Sequence, residues 1–305
     1  MSRIIQLLCM LTSLFCACKK EVNLSLSDLH EPQLFIEGML YVGDTPRIYV
    51  SSSMPFFNEK VLPGEVFVRD AEVFITEGAH QYPLRQDSVF DKFRCRWDPF
   101  YTGDFVVEAD KEYQLILYRH GDTIRAGAST ALKKPALDDV SYTPEFYDVY
   151  GGHDGVILRF RDMPGEGDYY RFQMDRWIDT SRHHAHVLDV LDVLTNNCVD
   201  AGELFFVTDL GRSIFSDYKI DGTDFELYVE VSFEYRQGDT ATVYLQNLDE
   251  QAARFYHDLD KQLESIRNPF VEPVFIHSTI DGAFGVFGAA IRSEPVTFVY
   301  PQDNP

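Results

Sequence analysis

Three imidazoles stand within four residues in Arg182-His183-His184-Ala185-His186, the sharpest local cluster of potential metal ligands in the chain. Zinc, copper and haem iron all take neutral imidazole nitrogen. In an extended segment His184 and His186 share a face, and on a helix His183 and His186 do, so two ligands converge either way. Asp179 and Asp189 stand close enough in sequence to orient them from behind. A solvated histidine-rich loop accounts for the same residues without any ligand, and that is the reading expected.

Asp217-Tyr218-Lys219-Ile220-Asp221-Gly222-Thr223-Asp224 invites comparison with a calcium loop. Its third position is Lys219 and its twelfth Tyr228, where an EF-hand needs an oxygen ligand and a bidentate Glu, so that motif fails. A turn at Asp221-Gly222 explains the stretch, with an irregular calcium site as the remaining alternative. Gly-x-Ser-x-Gly, the Walker loop and His-Glu-x-x-His are all missing, and Gly282, Gly285 and Gly288 are spaced wrongly for a dinucleotide fingerprint. Two carboxylates suffice for glycoside hydrolysis, but 49 acidic residues guarantee such pairs, so pairing alone identifies nothing. Tyr147, Tyr150, Trp177 and Tyr218 offer faces for sugars, yet at 14% aromatic content a place in the core is the expectation. No catalytic residue is assigned.

The N-terminus carries covalent chemistry of another kind. Arg3 gives a positive start, Ile4 to Phe15 is a run of twelve mostly apolar residues, and Leu14-Phe15-Cys16-Ala17-Cys18 sets a small residue before a cysteine. That is the layout of a bacterial lipoprotein signal, residues 1–17, with Cys18 as the acylated first residue of the mature chain. Cys16 is the rival, but Phe15 before it is bulky where Ala17 before Cys18 is small. Lys19-Lys20-Glu21 ends the apolar run short of the roughly 20 residues a spanning helix needs. An uncleaved hydrophobic anchor, or a start site placed too far upstream, is the alternative. Two or three acyl chains on Cys18 would hold the chain stably at a membrane, with residues 18–31 as a polar tether.

Removing residues 1–17 from 305 leaves 288, enough for one large domain or two ordinary ones. The net charge is −22, and −23 once Arg3 is lost. So acidic a surface repels phosphate backbones and anionic headgroups, which argues against nucleic acid and peripheral membrane binding and leaves attachment to the lipid. Cys95 and Cys198 remain after processing; an oxidising compartment permits a disulfide between them, but they lie about a hundred residues apart with no framework spacing, and two buried thiols is the default reading.

Short apolar runs bounded by Gly, Pro and Asp set the architecture. Leu34 to Val42, Arg47 to Ser51, Ala71 to Thr76, Gln81 to Arg85, Phe105 to Glu108, Tyr113 to Tyr118 and Thr123 to Ala126 recur with turn signals between them. They predict an antiparallel β-sandwich over residues 32–134, immunoglobulin-like or transthyretin-like, ending at Lys133-Lys134-Pro135. Residues 135–305 predict a larger β-rich domain, with strands at Val156 to Phe160, Tyr169 to Met174, Leu204 to Thr208, Phe225 to Tyr235, Thr240 to Leu245, Phe275 to His277, Gly282 to Ala289 and Val296 to Tyr300, and a long irregular piece from Thr180 to Gly202. One amphipathic helix is predicted at about 248–267, capped by Asn247, with Leu248, Ala252, Phe255, Leu259, Leu263 and Ile266 on its inner face and Ala253 and His257 on its outer one.

Phe35-Ile36-Glu37-Gly38, Ser51 to Phe57, Asp70-Ala71-Glu72-Val73, Asn268-Pro269-Phe270-Val271-Glu272-Pro273 and Ile280-Asp281-Gly282-Ala283-Phe284-Gly285-Val286-Phe287-Gly288 resemble, in order, the spaced signatures of the Bacteroidota lipoprotein family called domain of unknown function 4249. Asp70 stands where members often have Gly, and Asp281 where Asn is usual. The resemblance implies an outer-membrane lipoprotein, often encoded beside TonB-dependent receptors, with no catalytic residues to carry over. In the same spirit Asp87-Ser88-Val89, Asp122-Thr123-Ile124 and Asp239-Thr240-Ala241 resemble Bacteroidota O-glycosylation acceptors, at Ser88, Thr123 and Thr240.

The expected function is that of a non-enzymatic outer-membrane lipoprotein without cofactor, facing either surface or periplasm, that captures ligand for a TonB-dependent receptor or binds the receptor itself. Metal or haem capture through His183, His184 and His186 is the first alternative. A surface hydrolase of glycans or peptides is the second.

Overall fold

The computed structural model describes residues 30–55, 61–92, 95–148, 151–179, 204–211, 214–230, 238–268, 270 and 272–301, nearly all of them in the compact unit of residues 32–53 and 60–305. The fold is mainly β: a mixed sheet of 13 strands, a second sheet of three, and one long helix at Glu250–Arg267. In chain order the strands are β1 (Leu34–Tyr41), β2 (Arg47–Ser52), β3 (Glu72–Glu77), β4 (His80–Asp91), β5 (Arg96–Thr102), β6 (Glu112–Arg119), β7 (Asp122–Ser129), β8 (Ala136–Asp148), β9 (Gly151–Arg161), β10 (Tyr169–Asp179), β11 (Leu204–Leu210), β12 (Phe215–Ser216), β13 (Asp224–Glu230), β14 (Thr240–Leu248), β15 (Phe284–Arg292) and β16 (Val296–Val299). The large sheet runs β11-β10-β14-β15-β1-β2-β5-β4-β3-β6-β7, with β12 beside β10 and β16 beside β14; the small one runs β13-β9-β8.

The sheet folds back on itself because β4 serves two ladders. His80 to Leu84 pair with β3, and Arg85 to Asp91 pair with β5. Ile36, Leu40, Ile48 and Val50 thereby meet Val73, Ile75, Leu115, Leu117 and Ile124 in one apolar core. Alternation selects which side chains enter it: in β7, Ile124, Ala126 and Ala128 are buried while Thr123, Arg125 and Gly127 are exposed. A second core forms where the three-strand sheet lays Val156, Leu158 and Phe160 over Tyr170, Met174, Val243 and Leu245.

Strand β15 sits in the middle of the large sheet, buried on both faces, and pairs in parallel with β1 from Phe35↔Phe284 to Tyr41↔Ala290. Its Phe287 and Ala289 join the first core, so strands at the two ends of the chain share one hydrophobic interior. The helix covers the other face of β15 with Ala252, Ala253 and Phe255, against Met39, Val286 and Ala290.

Four details depart from the sequence reading. The helix cap is Asp249, whose side chain accepts from Ala252 N at 2.8 Å; Asn247 and Leu248 stay in the β14 ladder opposite Ile291 and Ala290, so the first turn waits for them. Ala253, expected on the outer face, is buried beside Ala252, and Leu263, expected on the inner one, is exposed. Phe105 to Glu108 forms no named strand, although Val107 is buried and exchanges backbone bonds with Gly43 and Asp44 at 2.9 Å. Phe275 to His277 is likewise irregular, and β5 went unread because Asp98 and Pro99 interrupt its apolar pattern.

Burial pushes the Asp249 carboxyl above the usual carboxylate range, against the opposing pull of the Ala252 and Ala289 N–H groups that it accepts. A raised folded-state value means that protonation favours the folded protein: this contribution is complete below the unfolded aspartate value and lost as pH rises through the folded one. Asp249→Asn cannot titrate. The melting temperature of the wild type relative to that variant is therefore expected to climb as pH falls from 7 towards 3.5, as thermal melts of the two across that range would check.

Candidate functional site

The described residues bring together three buried carboxylates that the sequence reading did not connect. Asp162 follows β9, Asp168 precedes β10 and Asp217 follows β12, and one oxygen of each lies within 4.8 Å of the others. Tight turns carry them: Gly165 and Gly167 adopt positive φ in the first loop, and Lys219 and Gly222 do so in the second. The expected turn at Asp221-Gly222 is present, with Ile220 N bonded to Asp217 O at 2.8 Å and Thr223 N to Ile220 O at 2.9 Å.

The protein itself supplies the donors for this cluster. Asp162 accepts from the Tyr170 hydroxyl and from Gly222 N at 2.8 Å. Asp168 accepts from Asn247 Nδ2 and from the Lys133 ammonium, each at 2.7 Å, and Asp217 Oδ2 from the N–H groups of Gly167 and Asp168. The Asp168 hydrogen bond holds the Lys133 ammonium above its ordinary range, while burial first and the Asp162 bond second push the Tyr170 phenol up. Lys133 thus stands where a cation would neutralise the carboxylates. The arrangement knits the connection after β7, the two loops and the end of β14 into one knot; of the calcium stretch, only Asp217 belongs to the cluster, while Asp221 accepts from Gly165 N at 2.7 Å and Asp224 faces Arg161 at 3.7 Å.

A different kind of surface marks the far edge of the large sheet. Trp177 on β10 lies opposite Phe206 on β11, their ring centroids 5.4 Å apart at 64°. Trp177 is 64% exposed, and Leu204, Phe206 and Leu210 are exposed on the same face. Beneath it Arg176 and Asp209 meet at 3.0 Å, and burial raises the Asp209 carboxyl despite that partner. The core role expected for Trp177 and Tyr218 is overturned, since Tyr218 is 72% exposed as well. Both stand where an alternating strand or a turn points outward, so aromatic content was no guide to burial.

The histidines His183, His184 and His186, the lipidation candidate Cys18, Cys198 and Tyr150 lie outside the described residues. Cys95 is disulfide-bonded, which corrects its reading as a buried thiol; the other cysteines are all outside the described residues. Ser88, Thr123 and Thr240 are exposed on β4, β7 and β14, some distance apart along the sheet.

The described residues form a mainly β scaffold that carries a hydrogen-bonded acidic knot at one place and exposed aromatic side chains on the β10–β11 edge at another. The family model described as "Domain of unknown function (DUF4249)" matches residues 19–294, and the chain belongs to that family. None of the curated proteins matches it.

Proposed function

We propose that this chain is a non-enzymatic lipoprotein, held in the outer membrane by acyl chains on Cys18, that serves a TonB-dependent uptake system by binding its receptor. The N-terminal strands would act in it as an immunoglobulin-like or transthyretin-like module. The observation that carries the reading is the shelf of Trp177, Leu204, Phe206 and Leu210, a cluster of large apolar side chains left in water on one face of a hairpin. Contiguous apolar surface of this kind marks contact sites, and exposed tryptophan is the residue type most often found at their energetic centre. The aspartate knot favours the same reading over hydrolysis, because Asp162 and Asp168 already accept on both oxygens, from Tyr170 and Gly222 N and from Asn247 and Lys133, and are badly placed to activate water.

The experiment is co-purification from crosslinked membranes with two variants. Trp177→Ser combined with Phe206→Ser is expected to keep its melting temperature and membrane association but to recover about tenfold less β-barrel receptor, a loss of ~1.4 kcal/mol. Cys18→Ser is expected to leave the membrane fraction altogether. Wild-type protein that brings down no β-barrel, or a double variant that brings down as much, would sink the proposal.

A further inference from the structure

We infer that the cleft alongside β7 is a strand-addition site for an extended, lysine- or arginine-bearing peptide segment of a partner protein. β7 is the last strand in the sheet order, at the opposite end from the Trp177 shelf, so this surface stands or falls independently of the receptor-binding reading. In an antiparallel ladder successive residues turn their N–H and C=O groups to opposite sides. Thr130 N points inward, to Lys111 O at 2.9 Å, whereas Arg125 O points outward, to Asp281 N at 3.3 Å. By that alternation Ala126 and Ala128 bond to β6, and Gly127 and Ser129 direct their main-chain groups away from it. The bridge between Arg125 and Asp281 is isolated, and beyond it no backbone partner among the described residues meets Gly127 or Ser129.

What lies outside that edge is space. A cleft of about 550 Å³ runs along Arg125 to Ser129, walled on its far side by Asp249 to Gln251 at the start of the helix and by Thr279 and Asp281. Clefts of roughly 300–1,000 Å³ are the usual size for bound ligands. Four residue steps of strand cover roughly 13 Å, so the slot takes a segment of about five residues. Gly127 keeps it clear: a Cβ there would find only Tyr113 O, at 4.0 Å.

An unpaired strand edge templates pairing by its main chain, and pockets flanking it select side chains. Here the carboxylates of Glu112, Glu250 and Asp281 line the cleft, beside Asp249 whose own carboxyl is committed to Ala252 N and Ala289 N, against Arg125 as the single cation among the described lining residues, on a chain of net charge −22. Alternate side chains of an added strand would meet those carboxylates, which selects lysine or arginine and steers a basic segment in. Acidic segments are repelled.

The test uses the whole protein and a fluorescein-labelled hexapeptide alternating lysine and valine, with a glutamate–valine hexapeptide as its control. The lysine peptide is expected to bind saturably by fluorescence anisotropy and the glutamate peptide not to bind. Gly127→Pro removes one outward N–H without touching the bonds to β6, and is expected to weaken binding at least tenfold. Hydrogen exchange of the wild type at saturating peptide is expected to show new protection at the Gly127 and Ser129 amides. Failure of the lysine peptide to bind, unchanged affinity in folded Gly127→Pro, or unaltered exchange at both amides would each overturn the inference; the exchange measurement decides it even if the proline variant does not fold.

Discussion

Gly285→Ala is expected to cost about 4 kcal/mol or more and to leave little folded protein at ordinary temperatures. Gly285 has φ +128, and a Cβ built on it would lie 1.8 Å from the carbonyl oxygen of Ile36, its ladder partner. No rotamer relieves such an overlap, because a Cβ position is set by its own backbone and the Ile36 oxygen is main chain in the centre of the sheet. The strands must part or the residue must leave its backbone region, and either breaks the parallel pairing on which the shared core depends. Gly288→Ala makes a useful comparison. Its Cβ would meet Ala252 Cβ at 2.6 Å and Asp249 Oδ2 at 2.8 Å, contacts with a helix that can lift slightly, so a smaller loss is expected. Urea titrations of the two variants check the ranking, and a Gly285→Ala protein within about 1 kcal/mol of wild type would show that β1 and β15 are not paired in this register.

Those glycines show what was legible and what was not. Glycines in an apolar run allow either close backbone approach or a bulge, and which backbone approaches could not be read, because Ile36 and Gly285 are partners across almost the whole chain. Local patterns were readable: β7 alternates cleanly, and the helix was found to within two residues although its cap was misassigned. The cap failed because Asn247 is a good N-terminal residue that tertiary contacts retain in a strand. The aspartate knot failed for a related reason. Asp217 was noticed through its neighbours in sequence, while Asp162 and Asp168 lie about fifty residues away in a Gly-rich loop whose only signal is Pro164-Gly165 and Gly167. Among 49 acids, proximity in space leaves no mark in the order of the letters.

Lys133→Met tests whether that knot is structural. The ammonium is the positive charge in direct contact with the cluster, bonded to Asp168 at 2.7 Å and to Gly165 O. Its side chain is 40% exposed where Asp168 is 6% exposed, so solvent screens part of the attraction. Breaking a fully buried pair costs about 3–5 kcal/mol because the surviving charge is left uncompensated, and the partial exposure of Lys133 brings the expectation below that range, to about 2 kcal/mol. If the loss arises from stranded negative charge, neutralising a partner must recover it. Asp168→Asn keeps an acceptor for Asn247 while removing one charge, so the double variant Lys133→Met/Asp168→Asn is expected to regain at least about 1 kcal/mol over Lys133→Met, the coupling that contacting residues of one network show. Denaturation of the two singles and the double closes the cycle. A Lys133→Met protein as stable as wild type, or a native protein whose melting temperature rises sharply when calcium is added, would mean that the aspartates answer to a bound cation and not to the lysine, since a counter-ion already in place gives a second one little to stabilise.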